Sequence, residues 1–165
     1  MKVRLVFFFA AVLLGLAGCN YDAPLTAKST RKIDARLLGE WLQPEEKDWM
    51  IVRRLDDSTY VIAYGKDKSH DRPDLYRAFH SDFGGLAFIS VQNLQPGSDD
   101  RKYSYLTCAL SADGTRLTMR TVNNRVIPEQ KTDTAGMQKL IEQNLKNPKL
   151  LNEEFVFVRP APPQL

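Results

Sequence analysis

The chain is poor in the residues that hold metals or perform nucleophilic catalysis. Its two histidines are His70, in a charged segment, and His80, and neither has a second histidine at the spacing of a zinc site. His80 and Asp82 could join a serine in a hydrolase triad only if folding brought them together, and no Gly-x-Ser-x-Gly nucleophile elbow is present. We therefore expect no enzymatic activity, no catalytic residue and no cofactor.

Acidic pairs do occur, but they lack the pattern of a calcium site. Asp56-Asp57 and Asp99-Asp100 are not followed by the alternating ligands of a calcium loop. Aspartate is favoured in turns because its side chain accepts local backbone hydrogen bonds. We interpret both pairs as turn residues and expect no metal site.

The chain has only a small net charge. The formal net charge of +3 includes Lys2 and Arg4, and it falls to about +1 if a cleaved N-terminal segment removes them. Nucleic-acid-binding domains carry clustered Lys and Arg, so we expect no nucleic acid partner. One basic cluster either contacts anionic head groups or forms a solvated tether and helix face. Its members are Lys28, Arg31, Lys32 and Arg36.

The N-terminal apolar run is too short for a transmembrane helix. It extends from Leu5 to Ala17, whereas a membrane-spanning helix needs ~20 residues. Two early cations, a short apolar run and small residues are typical of a secretory signal peptide.

The end of this run, Leu16-Ala17-Gly18-Cys19, resembles the lipobox of bacterial lipoproteins. The resemblance implies diacylglyceryl transfer to Cys19, cleavage before it, and acylation, such as by palmitate, of the new amino terminus. In that family Asp after the cysteine favours the inner membrane, so Asn20 implies the periplasmic side of the outer membrane. Two lipid signals suffice for stable anchoring. An ordinary signal peptide that ends in a cysteine is the alternative.

These signals divide the chain into four parts. We predict a signal peptide at 1–18, a lipidated flexible tether at 19–29, a single domain at 30–160 and a tail at 161–165.

Lipidation of Cys19 leaves Cys108 without a partner, so no intrachain disulfide is expected. Cys108 alternates with Leu106 and Leu110 on one face of a predicted strand, which indicates a small buried apolar side chain. A reactive or intermolecular thiol is the alternative.

The domain itself has a strand-rich pattern with regularly placed turns. Three hairpins are predicted, which are Trp49–Leu55 with Thr59–Tyr64, Leu75–Phe83 with Leu86–Val91, and Tyr103–Leu110 with Arg116–Val122. A first strand at 39–43 and a last at 154–159 make eight, enough to close a small barrel. We therefore predict a mainly β fold, an antiparallel meander that forms a small barrel.

Two helices are predicted beside the strands. The first covers 31–38, with Thr30 as N-cap. The second has Asp133 or Thr134 as N-cap, ends before Pro148 and carries an apolar stripe of Met137, Leu140, Ile141 and Leu145. We expect this stripe to cover the barrel, with a partner-binding groove as the alternative.

The first strand begins with Gly39-Glu40-Trp41, which resembles the Gly-x-Trp start of lipocalin-like barrels. The resemblance implies that Trp41 plugs the barrel floor and that Arg159, late in the last strand, packs across its ring. Such a cation–π contact contributes ~0.5–2 kcal/mol. The mature chain is also similar to a loosely defined set of bacterial lipoproteins that share the hairpin of residues 84–88 and imply no particular activity.

Two functions are compatible with these features. The first is a membrane-anchored, non-catalytic envelope module that binds a partner protein through a sheet face or the loop from Lys66 to Asp74. The alternative is a lipocalin-like carrier of a small, partly apolar ligand. We favour the first because bulky side chains could fill an eight-stranded interior, among them Phe79, Phe83, Phe88, Leu106, Leu110 and Met119.

Overall fold

The chain folds into a closed barrel of eight strands joined in sequence order. A computed structural model describes residues 21–44, 47–66, 73–95, 102–129 and 131–161. The strands are β1 (Gly39–Leu42), β2 (Trp49–Arg54), β3 (Thr59–Gly65), β4 (Asp74–His80), β5 (Phe88–Asn93), β6 (Tyr103–Leu110), β7 (Arg116–Thr121) and β8 (Phe155–Val158). All neighbouring strands are antiparallel, and β1 closes the barrel against β8. The predicted fold class is confirmed, a mainly β meander closed into a small lipocalin-like barrel.

The three predicted hairpins are present. Gly84 and Gly85 form the tip of the second hairpin with φ of 59° and 81°. Positive φ at both central residues belongs to the two-residue turn whose twist matches that of paired strands. β4 ends at His80 rather than Phe83, and β5 begins at Phe88 rather than Leu86. An isolated bridge between Phe83 and Leu86 continues their pairing.

Side chains alternate between the interior and the outer face along each strand, as the pleat requires. Trp41 lies opposite Met50, and Met50 opposite Tyr64, so these three share the interior face. The interior cluster contains Leu37, Trp41, Met50, Val52, Tyr60, Tyr64, Ala78, Ile89, Val91, Leu106, Leu117, Met119 and Phe157.

A second apolar cluster lies outside the barrel, against strands β4 to β6. Helix α1 (Thr134–Asn144) contributes the fully buried Met137 and Ile141, and the side chain of its N-cap Asp133 accepts a hydrogen bond from the Gly136 amide. The outer cluster contains Tyr21, Leu25, Phe79, Phe88, Tyr103, Tyr105, Val122, Ile127, Met137, Ile141 and Leu150. The prediction that this helix covers the barrel is confirmed. No helix among the described residues is long and apolar enough to cross a membrane.

The short N-terminal helix is present but covers only part of the predicted range 31–38. The structure has a short 3₁₀ helix at Ala35–Leu37, and its N-cap is Asp34 rather than Thr30. The amides of Thr30 and Ile33 donate to backbone carbonyls of the barrel. Those amide donors are therefore used in tertiary hydrogen bonds instead of helical ones.

Residues 21–29, expected to form a flexible tether, pack along the outside of the barrel. Tyr21 and Leu25 are both 0% exposed. The main chain of Tyr21 exchanges two hydrogen bonds with Tyr103, and the Leu25 amide donates to the Ser90 hydroxyl at 3.1 Å. Tyr21 and Leu25 dock this otherwise polar segment, because they pack against apolar side chains on the outer faces of β5 and β6.

The meander gives the barrel two different ends. The connections 55–58, 81–87 and 111–115 lie at one end, which we call the plug end because the 3₁₀ helix also enters there. The connections 43–48, 66–73 and 94–102 lie at the opposite end. We call this second one the tether end, since Tyr21 joins the barrel there, beside the first residue of β6.

Candidate functional site

The barrel encloses an apolar cavity of about 50 Å³. Among the described residues, no charged side chain lines it, and the polar groups of the lining belong to two tyrosines and one thiol. The lining comes from Leu37 and from six strands, with Met50, Val52, Tyr60, Ile62, Tyr76, Ala78, Ile89, Val91, Leu106, Cys108, Leu117 and Met119. An apolar cavity of this kind stays dry, because water needs two to four polar partners.

Trp41 and Arg159 close the plug end. Trp41 is 0% exposed, and its indole N–H donates to the Leu37 carbonyl at 2.9 Å. The Arg159 guanidinium lies 4.0 Å from the centroid of the Trp41 ring and donates to the carbonyls of Leu38 and Arg36 at 2.7 and 2.6 Å. The structure thus brings together the two side chains that the lipocalin resemblance paired.

Gly39 is needed beneath this pair for steric reasons. Its φ is +115°, and a Cβ there would lie 2.4 Å from Nη1 of Arg159. Any larger residue would be strained and would displace the guanidinium. The glycine and the tryptophan of the Gly-x-Trp pattern are therefore both required for the contact between Arg159 and the Trp41 ring.

A buried polar chain lies beside the plug. The Asp34 amide donates to the Tyr60 hydroxyl at 2.5 Å, and that hydroxyl is 2.8 Å from Nε2 of His80. Burial lowers the pKa of His80, with Arg31 acting in the same direction, and burial raises the pKa of Tyr60. Both effects favour the neutral forms of the His80 and Tyr60 side chains.

The possible hydrolase arrangement around His80 is not assembled. His80 meets the Tyr60 hydroxyl, whereas the Asp82 carboxylate lies 3.2 Å from the Arg31 guanidinium and accepts from the Thr30 hydroxyl. The described residues contain no group of three or more His, Cys, Asp or Glu side chains that could hold a metal ion.

Cys108 lines the cavity between the interior faces of β5 and β7. Its sulfur is free, and burial raises the pKa of the thiol to about 11. The nucleophile is the thiolate, so this thiol has little reactivity at neutral pH. Cys108 is therefore part of the cavity wall, as expected for a small apolar side chain on a strand.

Polar groups line the interior at the tether end. The Tyr64 hydroxyl donates to the carboxylate of Asp48, and both residues are buried. Burial, reinforced by Asp74, raises the pKa of Tyr76 to about 12. Tyr76 lines the cavity, whereas Tyr64 and Asp48 are buried in the interior outside its lining.

The bulky residues considered as interior filling divide between the two faces. Leu106 and Met119 line the cavity, and Leu110 packs against the interior cluster. Phe79 and Phe88 point outwards into the outer cluster, with Phe83 at its margin. Three of the aromatic side chains expected inside the barrel therefore lie outside it, which leaves room for the cavity.

Several predicted sites lie outside the described residues. These are Cys19 with the signal segment 1–18, Asn20, the acidic pair 99–100, residues 67–72 of the loop that contains His70, and 162–165 of the tail. The sequence also gave no indication of the Tyr60–His80 pair or of Asp48. The sequence alone does not show whether a polar side chain in a strand or a turn is buried.

A scan against protein-family models and searches of curated proteins and of solved structures found no match to this chain.

Proposed function

We propose that this protein is a lipid-anchored envelope protein whose barrel binds a small, largely apolar ligand. The observation that carries the proposal is the cavity, which is enclosed by the barrel, lined by apolar side chains and left unfilled by them. Binding sites for small molecules are concave and mostly apolar, with a few polar groups that orient the ligand. Among the lining residues, Tyr60 and Tyr76 carry hydroxyl groups.

The cavity volume limits the size of the ligand. Pockets for drug-sized molecules measure about 300–1,000 Å³, whereas this cavity measures about 50 Å³. It suits a short alkyl segment or a small ring. Met50 and Met119 border the cavity, and flexible methionine side chains can make additional room.

The ligand proposal is tested by filling the cavity. Ala78 is fully buried in the lining, and Ala78→Val adds two methyl groups to that wall. Overpacking of this kind costs ~1–3 kcal/mol, so affinity for 1-alkanols, from butanol to decanol, should fall about tenfold. Ala109→Val makes the same change on the outer, exposed face of β6 and should leave alkanol affinity unchanged.

Native mass spectrometry of the domain, purified gently from its own host, gives the complementary reading. A small retained molecule that Ala78→Val loses and Ala109→Val keeps would support the proposal. An empty domain with no alkanol binding would contradict it.

The anchor is tested separately at Cys19. Cys19→Ser in the full-length precursor should abolish uptake of labelled palmitate and the lipoprotein-specific cleavage. Cys108→Ser is the matched control, and it should keep both. A Cys19→Ser protein that still incorporates palmitate would refute lipid attachment at this position.

A second candidate function is partner binding through the outer face of the barrel. Ile51, Ala63 and Leu75 lie side by side on neighbouring strands, and Leu75 is 44% exposed. Leu42, 41% exposed, lies beside Val158 on the same side. Exposed apolar strips of this kind occur at protein interaction sites.

Cross-linking in cells distinguishes the two functions. A photo-cross-linker at Leu75 that captures one envelope protein, with none captured from Leu55 at the plug end, would favour partner binding. Leu55 is the matched control because it is also an exposed leucine, at 60%.

A further inference from the structure

The N-terminal segment joins the barrel at the tether end through several simultaneous contacts. The ring of Tyr21 stacks on that of Tyr105, with centroids 4.7 Å apart and planes 5° from parallel. Its hydroxyl donates to the Ile127 carbonyl at 2.7 Å, and its main chain exchanges hydrogen bonds of 2.8 and 2.7 Å with Tyr103. Tyr21 is thus a fixed part of the barrel, although its neighbours in sequence are polar.

Very little chain separates Tyr21 from the predicted lipid attachment site. Asn20 is the one residue between Cys19 and Tyr21. An extended chain covers at most ~3.3–3.6 Å per residue, so the Cα atoms of Cys19 and Tyr21 lie within about 7 Å of each other. A lipid on Cys19 therefore begins close to the start of β6, whichever direction the intervening backbone takes.

We propose that the tether end of the barrel is held against the lipid head groups and that the plug end points away from the membrane. This orientation rests on the proposed lipidation of Cys19. It follows from combining a short covalent connection with a docked Tyr21, since a flexible tether of residues 19–29 would impose no orientation. The surface that meets the bilayer includes Lys102 and Asp22, which form an ion pair.

The orientation also bears on how the cavity is filled. Tyr76, which lines the cavity, lies towards the tether end, so this end of the cavity is on the membrane side. A ligand that entered the cavity from this end would exchange with the bilayer, so the ligand class that we infer is a short apolar membrane solute.

The orientation is tested with fluorophores at the two ends of the lipidated protein. Lys66, directly after β3, is exposed at the tether end, and Ala112 is exposed at the plug end. Each is replaced by cysteine and labelled in a Cys108→Ala background, where Cys19 is blocked by lipid. The protein is placed in phosphatidylcholine vesicles that carry a quencher on the head group. The label at Lys66→Cys should lose most of its emission, and the label at Ala112→Cys should keep it.

A longer connection supplies the control. About ten Gly and Ser residues inserted between Asn20 and Tyr21 give a mean reach of roughly 17 Å, which frees the barrel to rotate. The difference in quenching between the two labels should then largely disappear while membrane attachment persists.

The outcomes separate the orientation from the anchor. Equal quenching at both ends of a protein whose mass includes the lipid would overturn the orientation and leave the anchor intact. A full difference that survives the insertion would show that the surface, not the short connection, sets the orientation, and would also overturn the argument. Absence of lipid from the mass would overturn the anchor itself.

Discussion

Strands β4 to β6 have an apolar cluster on each side, and the two clusters are built differently. On the interior side, Ala78, Ile89 and Leu106 face a space that side chains leave partly empty. On the outer side, Phe79 and Phe88 pack beneath the helix and the N-terminal segment. On these three strands most of the large rings therefore lie on the outer face, where they pack against other parts of the chain. The large rings of the interior, such as Trp41 and Phe157, come from other strands.

The outer cluster also differs in its polar groups. The hydroxyls of Tyr21 and Tyr105 donate to backbone carbonyls of Ile127 and Ala23, so each buried ring also fixes a connecting segment. Buried hydrogen bonds of this kind make one arrangement unique, because leaving a buried donor unpaired costs ~1–3 kcal/mol. The outer cluster thus organises the chain, and the interior is the side with room for a ligand.

The largest expected effect comes from removing the plug of the interior. Trp41→Ala deletes a fully buried indole, its hydrogen bond to Leu37 and its contact with Arg159. The free energy of unfolding should fall by ~3–5 kcal/mol, as for other large-to-small core substitutions. Urea denaturation measures it. A loss below ~1 kcal/mol, the size of a surface substitution, would show that this end contributes little to stability.

Much of this architecture could be predicted from the sequence, because the hairpin signals are local. Alternating apolar residues and Gly-containing turns predicted all eight strands, and β6 has the predicted bounds of Tyr103–Leu110. The contact between Trp41 and Arg159 came from resemblance to a family, since no local pattern links residues so far apart in sequence.

The remaining features depend on tertiary contacts that local patterns do not encode. Tyr21 lies in a polar stretch typical of a tether, and its burial is decided by Tyr103 and Tyr105, more than eighty positions later. The segment 31–38 has helical composition, yet the Ile33 amide donates to the Asp57 carbonyl and only Ala35–Leu37 forms a helix. The cavity depends on which face each aromatic residue takes, and that is fixed by the register of the closed sheet.

A matched pair of methionines sharpens the comparison between the clusters. Met119 lines the cavity and Met137 is fully buried in the outer cluster, and truncation of either to alanine should cost ~2–5 kcal/mol. In Met119→Ala the new space joins an existing cavity, so 1-hexanol should bind there and restore part of the lost stability. In Met137→Ala it should not.

Thermal unfolding with and without 1-hexanol measures this difference, since a ligand that binds the folded state raises its apparent stability. Equal stabilisation of both variants would mean that the outer cluster accepts ligands as readily as the interior. The contrast between the two clusters would then have no functional meaning.

The smallest effect concerns His80, the buried histidine at the plug end of the interior. It is 1% exposed, its Nε2 lies 2.8 Å from the Tyr60 hydroxyl, and its Nδ1 has no hydrogen-bond partner among the described residues. Burial lowers the pKa of His80 and Arg31 acts in the same direction, against the opposing influence of Asp82 and Asp34. The folded state therefore prefers the neutral imidazole.

This preference sets the sign of a pH dependence. The unfolded chain takes up the His80 proton near the ordinary pKa of 6.5, whereas the folded chain resists it. The stabilising preference for neutral His80 is thus fully present above that value, and the free energy of unfolding falls as pH decreases below it. Asp34, whose pKa is lowered mainly by its hydrogen bond with Arg36, acts only in a more acidic range.

Urea denaturation across this range, compared between the native protein and His80→Gln, isolates the contribution. The glutamine amide can still reach the Tyr60 hydroxyl but does not titrate, so the variant should lose the part of the pH dependence that starts near 6.5. His70 is present in both proteins and cancels in the difference. An unchanged pH profile in His80→Gln would mean that His80 is protonated as easily in the folded chain as in the unfolded one. The plug end of the interior would then be a hydrated site, unlike the dry apolar space above it.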